Sequence, residues 1–417
     1  MRKNSRENAV NQEEVKALSL EEIVLLGVEE RVRFALVQER GNFLKTMEHF
    51  KLENGNMAVV ANGFGKERTV LTQIGPVSVN NPRAYNRGKA KDENGELIGF
   101  ESQIAPRYVR KSMSVEETIP LLYLHGLSMN DFIPALKKMF GEKAAGLSPS
   151  TVSRMLQDWK GEMEAWKKRD LSDKEYCYVW VDGIYFGARN SENDLCVLVM
   201  IGATKEGKKE LIMIEIGYRE STESWLSLLR RAKEQGLNVP KLFIGDGALG
   251  FWAAARQVFP GVKEQRCWVH KTANVLDKLP KSEQPQAKRM LHDIYLNSSK
   301  KDALKAFDLF VNVYEDKYPK AVECLVKDKE QLLTFYDFPA AHWQSIRTTN
   351  PIESTFATAR LRSKKTRGNW SADMTEAMVY KLLEKASSRW HRLKKHKEVE
   401  KVLAGVKYVD GLEQQAA

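Results

Sequence analysis

The 417-residue sequence predicts a mixed α/β, multi-domain fold, and three features predict it. Between Tyr176 and Val269, dense apolar strands alternate with helical patterns. The chain before this stretch is helical apart from one small hairpin. After it comes a long all-helical run, and the chain then returns through Trp343–Asn350. The length suits two to four structural units, and a hydrophobic fraction of 42% is enough to build real cores.

In order along the chain, residues 1–65 read as an N-terminal helical arm. Ser19 and Glu22 have capping-box spacing, and Leu25, Val28, Val32 and Leu36 recur at helical intervals. This helix is either an arm for another subunit or for a polyanion, or a plain surface helix. Residues 66–112 read as a small β-hairpin and a basic connection. Val70, Ile74, Val77 and Val79 form the hairpin around a Gly75-Pro76 turn, and Arg83–Arg110 forms an exposed link.

Residues 113–172 carry three helical patterns. Ser148-Pro149 opens the third with an N-cap and a proline at the first helical position. Val152, Met155 and Leu156 face inward there, leaving Ser150, Ser153, Arg154 and Gln157 outward. Small polar residues beside an arginine suit a helix-turn-helix reader in a major groove, and an ordinary three-helix packing unit fits the spacing equally well.

Residues 173–275 change character. Strands are expected at Tyr176–Phe186, Leu195–Ile201 and Glu210–Gly217. A helix from Ser221 follows, then a strand at Lys241–Gly245, a helix at Phe251–Val258 and a short strand at Gln265–Val269. Three successive strands, then helix, strand, helix and strand, is the order of an RNase H-like core. Residues 276–340 read as an all-α insertion in that core, 341–392 as its last part, and 393–417 as a basic-to-polar tail.

Lys plus Arg number 66 against 55 Asp plus Glu, a net charge of +11. That excess points to a polyanionic partner, although basic charge also occurs in ribosomal and membrane-surface proteins. Cys177, Cys196, Cys267 and Cys324 are scattered, without a disulfide framework or CxxC pairing, which suits a reducing compartment. The polar N-terminus lacks a signal core and no apolar run is long enough to span a bilayer, so a cytoplasmic protein is expected.

Asp182 interrupts the apolar strand CYVWVDGIYF, and burying a carboxylate there costs several kcal/mol unless it is paired or binds a metal. Asp246 follows the strand LFIG, at the strand end where ligands collect in α/β sheets. Each alone also fits a wet strand end or a turn. Together, on neighbouring first and fourth strands, they converge on a divalent ion. A third carboxylate from a later helix completes a two-metal site whose ions lie roughly 3.5–4 Å apart. Oxygen donors with retained waters select two Mg²⁺, or Mn²⁺ in their place.

The segments VDGIYFG, FIGDGALGFWAA, QRCWVH and WQSIRTTNPIESTF resemble the signature segments of the Mutator-like bacterial insertion-sequence transposases, from roughly Arg68 to Lys385. The resemblance implies a DDE-type enzyme with Asp182, Asp246 and Glu353 as catalytic, metal-holding residues. It further implies an all-α insertion before Glu353 and a C-x-x-H motif at Cys267 and His270. His270 then sits near the active site, or the two form a packed structural pair; no second Cys/His pair lies close in sequence to complete a zinc site. Asn350 precedes Pro351 and reads as the cap of the Glu353 helix.

The implied DNA contacts are Arg154 and its helix, Arg347, and the basic stretch Arg360, Arg362, Lys364, Lys365, Arg367 with Trp370. That stretch departs from the family's usual wording. The implied activity is strand cleavage and strand transfer on double-stranded DNA, at terminal inverted repeats and a target, by a homodimer or larger paired-end assembly at the nucleoid. An RNase H-like nuclease without strand transfer, and a DNA-binding regulator derived from a transposase, are the alternatives.

Overall fold

The structure is a computed structural model. It describes residues 19–92, 95–110, 112, 149–186, 195–247, 249–353 and 371–414, with single positions at 122, 134, 135, 137, 138, 356 and 360. The chain divides into two compact units, Met1–Ser153 and Arg154–Ala417.

In the first unit, helix α1 (Leu20–Thr46) begins at a Ser19/Glu22 capping box. The Ser19 hydroxyl accepts the Glu22 N–H at 3.3 Å, and the Glu22 carboxylate accepts the Ser19 N–H at 2.8 Å. Its stripe of Leu25, Val28, Val32 and Leu36 packs with Val70, Val77, Val79 and Ala105. Val70, Val77 and Val79 come from the hairpin β2 (Arg68–Thr72) and β3 (Gly75–Val79), where Thr72 pairs with Gly75.

The reversal therefore falls at Gln73-Ile74, two residues before the expected Gly75-Pro76 turn. Ile74 stands at the tip, 53% exposed. Gly75 opens β3 with φ +123°, a conformation that favours glycine. The basic link is also partly folded: Pro82–Asn86 forms β4, antiparallel to β1 (Val59–Phe64), and Ile98, Ser102 and Ala105 are buried.

Helix α2 (Pro149–Lys167), which belongs to the second unit from Arg154 on, starts at the expected proline. The rest of the three-helix region lies almost entirely outside the described residues. A five-stranded mixed sheet follows, in the order β7 (Lys209–Tyr218), β6 (Leu195–Thr204), β5 (Tyr176–Phe186), β8 (Leu242–Gly245), β9 (Lys263–Arg266). The first three strands are antiparallel; β8 runs parallel to β5, and β9 parallel to β8.

Both faces of β5 are covered, which is why it reads as an almost unbroken apolar run. Val179 and Val181 face Trp225, Leu228 and Leu229 of α3 (Thr222–Glu234) and Phe251 and Ala254 of α4 (Leu249–Val258). Burying each such leucine contributes about 1.5–3 kcal/mol. Tyr178 and Trp180 point the other way. The Tyr178 hydroxyl meets His342 Nδ1 at 2.8 Å, and the Trp180 ring N–H donates to the Ser345 carbonyl at 3.0 Å.

Strand β9 stops at Arg266, short of the expected Val269, because the chain turns there into α5 (Trp268–Leu276) with Cys267 as its N-cap. Helices α6 (Gln284–Leu296), α7 (Lys300–Tyr314), α8 (Pro319–Val326) and α9 (Lys329–Leu333) follow. They bury Leu291, Ile294, Phe307, Phe310 and Leu325. Lys271 of α5, fully buried, is held by Asp328 and by the Cys324 carbonyl at 2.7 Å.

After the short α10 (Trp343–Ile346) comes α11 (Ala372–Ser387), tied to α2 by Lys160–Asp373 at 2.6 Å and Lys167–Glu376 at 2.5 Å. The segment read as a tail is folded through Gln414, as α12 (Lys397–Leu403) and the strand pair β10 (Tyr408–Val409) and β11 (Leu412–Glu413). It buries Leu393, Val399 and Tyr408, and the Leu393 N–H donates to the Gly207 carbonyl at 2.9 Å. All four cysteines are free thiols, and no described helix is long and apolar enough to cross a membrane.

Candidate active site

Strand register brings the two aspartates together. Tyr178, Val179 and Trp180 of β5 lie beside Leu242, Phe243 and Ile244 of β8. Two residues beyond the last pair on each strand stand Asp182 and Asp246. Parallel strands place equivalent ends side by side, so both carboxylates project at the C-terminal edge of β8. Period two sends Asp182 to the same face as Tyr178 and Trp180.

A third carboxylate joins them. Glu220, between the end of β7 and the Ser221 N-cap of α3, has a carboxylate oxygen within 4.8 Å of oxygens of both Asp182 and Asp246. At an effective permittivity near 20, two like charges at such a spacing repel by about 3–4 kcal/mol. Asp182 is only 7% exposed. Its Oδ1 accepts the Gly183 N–H at 2.9 Å, and no described cation forms an ion pair with it.

Burial, reinforced by the charges of Asp246 and Glu220, holds the Asp182 carboxyl well above the usual carboxylate range. Burial and Asp246 push Glu220 up to about 7, against a hydrogen bond from the Tyr185 hydroxyl. An all-oxygen set of this charge, with Asp182 buried and Glu220 and Asp246 half-buried, fits a hard divalent cation, which would relieve both the desolvation and the repulsion.

Glu353 lies in a second group. One oxygen each of its carboxylate, the Cys267 sulfur and a His270 ring nitrogen lie within 4.8 Å of one another. Three contacts along one segment seat it. Ser345 accepts from Trp180, the Arg347 carbonyl accepts the Trp268 N–H at 3.0 Å, and the Thr349 N–H donates to Cys267 Sγ at 3.3 Å. The Thr349 hydroxyl touches Cys267 Sγ at 3.2 Å and His270 Nδ1 at 3.4 Å, and it hydrogen-bonds the Glu353 carboxylate. His270 Nδ1 is 3.7 Å from Glu353 Oε1.

Thr349 also accepts the Glu353 N–H through its carbonyl at 3.1 Å, so Asn350 lies inside the first turn and Thr349 caps it. That shifts the expected cap by one residue. The hydrogen bond with Cys267 raises His270 against the effect of burial, helped by the charges of Glu353 and Asp246. Burial would raise the Cys267 thiol, but hydrogen bonds with His270 and Thr349 outweigh it and leave it lowered. Asp182 and Glu220 also feel the His270 charge, so the imidazole electrostatically links the two groups.

The remaining sequence-derived candidates are dispersed. Arg154 and Gln157 are exposed on α2, while the side chains of Ser150 and Ser153 lie outside the described residues. Arg347 is engaged within the fold, donating to the Tyr295 carbonyl at 2.8 Å and stacking 4.9 Å from the Tyr295 ring. Arg360 is exposed, 5.9 Å from the Phe356 ring. Arg362, Lys364, Lys365, Arg367 and Trp370 lie outside the described residues.

Sequence reasoning missed Glu220 and Thr349. For Glu220 the available signal was a carboxylate at a strand end directly before a recognisable serine cap.

The profile of the transposase Mutator family matches residues 4–392, and the chain belongs to that family. It is 50% identical over 297 residues to the transposase for insertion sequence element IS6120 of Mycolicibacterium smegmatis, covering 71% of this chain and 92% of that protein. It is 45% identical to the transposase for insertion sequence element IST2 of Acidithiobacillus ferrooxidans, covering 67% and 94%. The transposase for IS256 in transposon Tn4001 of Staphylococcus aureus is 26% identical, over 78% of this chain and 80% of that one.

Proposed function

We propose that this protein is a DDE transposase, built on an RNase H-like core, that cuts and rejoins DNA at the terminal inverted repeats of an insertion sequence. The observation that carries the reading is the parallel β5–β8 pairing, which sets Asp182 and Asp246 side by side with oxygens within 4.8 Å. Asp182, Asp246 and Glu353 would hold two Mg²⁺ or Mn²⁺ ions. When bound, such ions activate an attacking hydroxyl and stabilise the charge on the leaving oxygen.

The chain's residues supply the rest. The strand ends fix two carboxylates rigidly, and the Thr349–Cys267–His270 contacts hold the turn that carries Glu353. His270 keeps a positive charge near the phosphate. In the first step a water oxygen bonds to phosphorus at the element end and the 3′ oxygen leaves as a hydroxyl. In the second, that hydroxyl bonds to a target phosphorus and displaces the target's own 3′ oxygen. Bond number is conserved in both steps, and no covalent protein–DNA link forms.

Double-stranded DNA is the partner, with Arg154 on α2 as the candidate reader and a paired assembly holding two ends. A strand-transfer assay with a pre-cut labelled end tests the reading: joined product is expected, and hydrolysis alone would make the protein a nuclease. Arg154→Ala should weaken binding to terminal repeats by about 1–3 kcal/mol more than to random DNA. Equal losses would reduce Arg154 to a phosphate contact.

A further inference from the structure

We propose that Glu220 is a further carboxylate of the divalent-cation site, which Asp182, Asp246 and Glu220 together form without Glu353. The inference rests on the site reading above and extends it to a residue outside the Asp182, Asp246, Glu353 set.

The fold makes room for Glu220 in this one place. Gly183, directly after Asp182, lacks the Cβ that would stand 2.5 Å from Glu220 Oε1. Gly250 lacks the Cβ that would stand 2.4 Å from the Glu220 carbonyl oxygen. Arg219 takes a left-handed conformation, φ +56°, as the chain leaves β7 towards Glu220. Such a conformation is uncommon for a residue other than glycine.

The second line of argument is Asp182 itself. It is more than nine-tenths buried and in the same group of close oxygens. The described residues offer it only the neighbouring Gly183 N–H and no ion pair. A buried carboxylate so placed, with two more carboxylates at its side, has the more distant His270 charge but no ion pair among the described residues. A cation shared by the three oxygens supplies a close counter-charge. Glu353, by contrast, already has Thr349 and His270 as partners. The Asp182–Asp246–Glu220 group can therefore take up an ion while Glu353 remains with those partners.

Mn²⁺ binding to the full-length protein, counted by electron paramagnetic resonance of the free ion, tests this without reference to cleavage. Glu220→Gln should weaken the tightest Mn²⁺ site by at least about tenfold, because it removes one ligand charge. Glu353→Gln should leave that site within about threefold of wild type. Gly183→Ala, which keeps every carboxylate but displaces that of Glu220, should weaken it in the same direction as Glu220→Gln. It also serves should the glutamine variant fail to fold by circular dichroism.

Wild-type Mn²⁺ affinity in a folded Glu220→Gln or Gly183→Ala protein, while Asp182→Asn binds poorly, would overturn the role of Glu220 and leave the Asp182–Asp246 reading intact. Wild-type affinity in Asp182→Asn as well would overturn that reading too.

Discussion

Two side-chain groups at one end of the central sheet handle charge in opposite ways. Asp182, Glu220 and Asp246 crowd three carboxylates together with a mostly buried aspartate among them. Cys267, His270 and Glu353 are bound into a network by the Thr349 hydroxyl and main chain, and that network carries its own proton donors. The first group places like charges within 4.8 Å of one another; the second is cross-linked by hydrogen bonds within the fold. A site that binds a cation and also positions a phosphate needs both kinds, one crowded with negative charge and one rigid.

The largest expected effect comes from removing charge in the carboxylate group. Asp182→Asn or Asp246→Asn should abolish nicking of a labelled element end in Mg²⁺ while end binding in a gel shift survives. A loss of several kcal/mol of transition-state stabilisation corresponds to about 10³-fold or more in rate. Normal cutting by either variant would remove that aspartate from the chemistry.

Breaking the hydrogen-bonded group should cost less. Thr349→Val keeps the shape and deletes the hydroxyl shared by Cys267, His270 and Glu353. Leaving their polar atoms short of a partner should destabilise the fold by about 1–3 kcal/mol, with cleavage slowed by roughly tenfold. Cleavage and melting temperature both equal to wild type would show that the hydroxyl does not hold Glu353.

The smallest effect is a pH dependence of the chelator-treated protein. The carboxyl of Glu220 moves from 4.5 to about 7 on folding, so the native state binds its proton more tightly than the unfolded chain. Its contribution to stability is fully present below the unfolded value and is lost as the pH rises through about 7. The melting temperature should therefore fall between pH 5.5 and 8 by on the order of a few °C more in wild type than in Glu220→Gln. Parallel pH curves for the two proteins would contradict the assigned crowding.

Much of this arrangement is legible in the sequence. Asp182 stands out because β5 is buried on both faces, leaving a lone carboxylate in an apolar run. The α1 cap and stripe are legible because both are local patterns. Glu220 is only faintly legible: its strand-end position before the Ser221 cap is a local signal, but its place beside Asp182 depends on glycines at 183 and 250 that only folding brings near. Pro351 predicts Asn350 as the cap, whereas the tertiary contact of Thr349 with Cys267 starts the turn one residue earlier. β4 is hidden because a proline and an arginine mask a short strand whose partner, β1, is distant in sequence.

The most direct test of the central claim is to map nicks on a DNA duplex ending in the element's repeat, with wild type and Asp246→Asn compared in Mg²⁺ and in chelator. The account predicts a single nick at the element end, seen only with wild-type protein and added Mg²⁺. A nick of the same position and yield from Asp246→Asn, or from wild type in chelator, would contradict it.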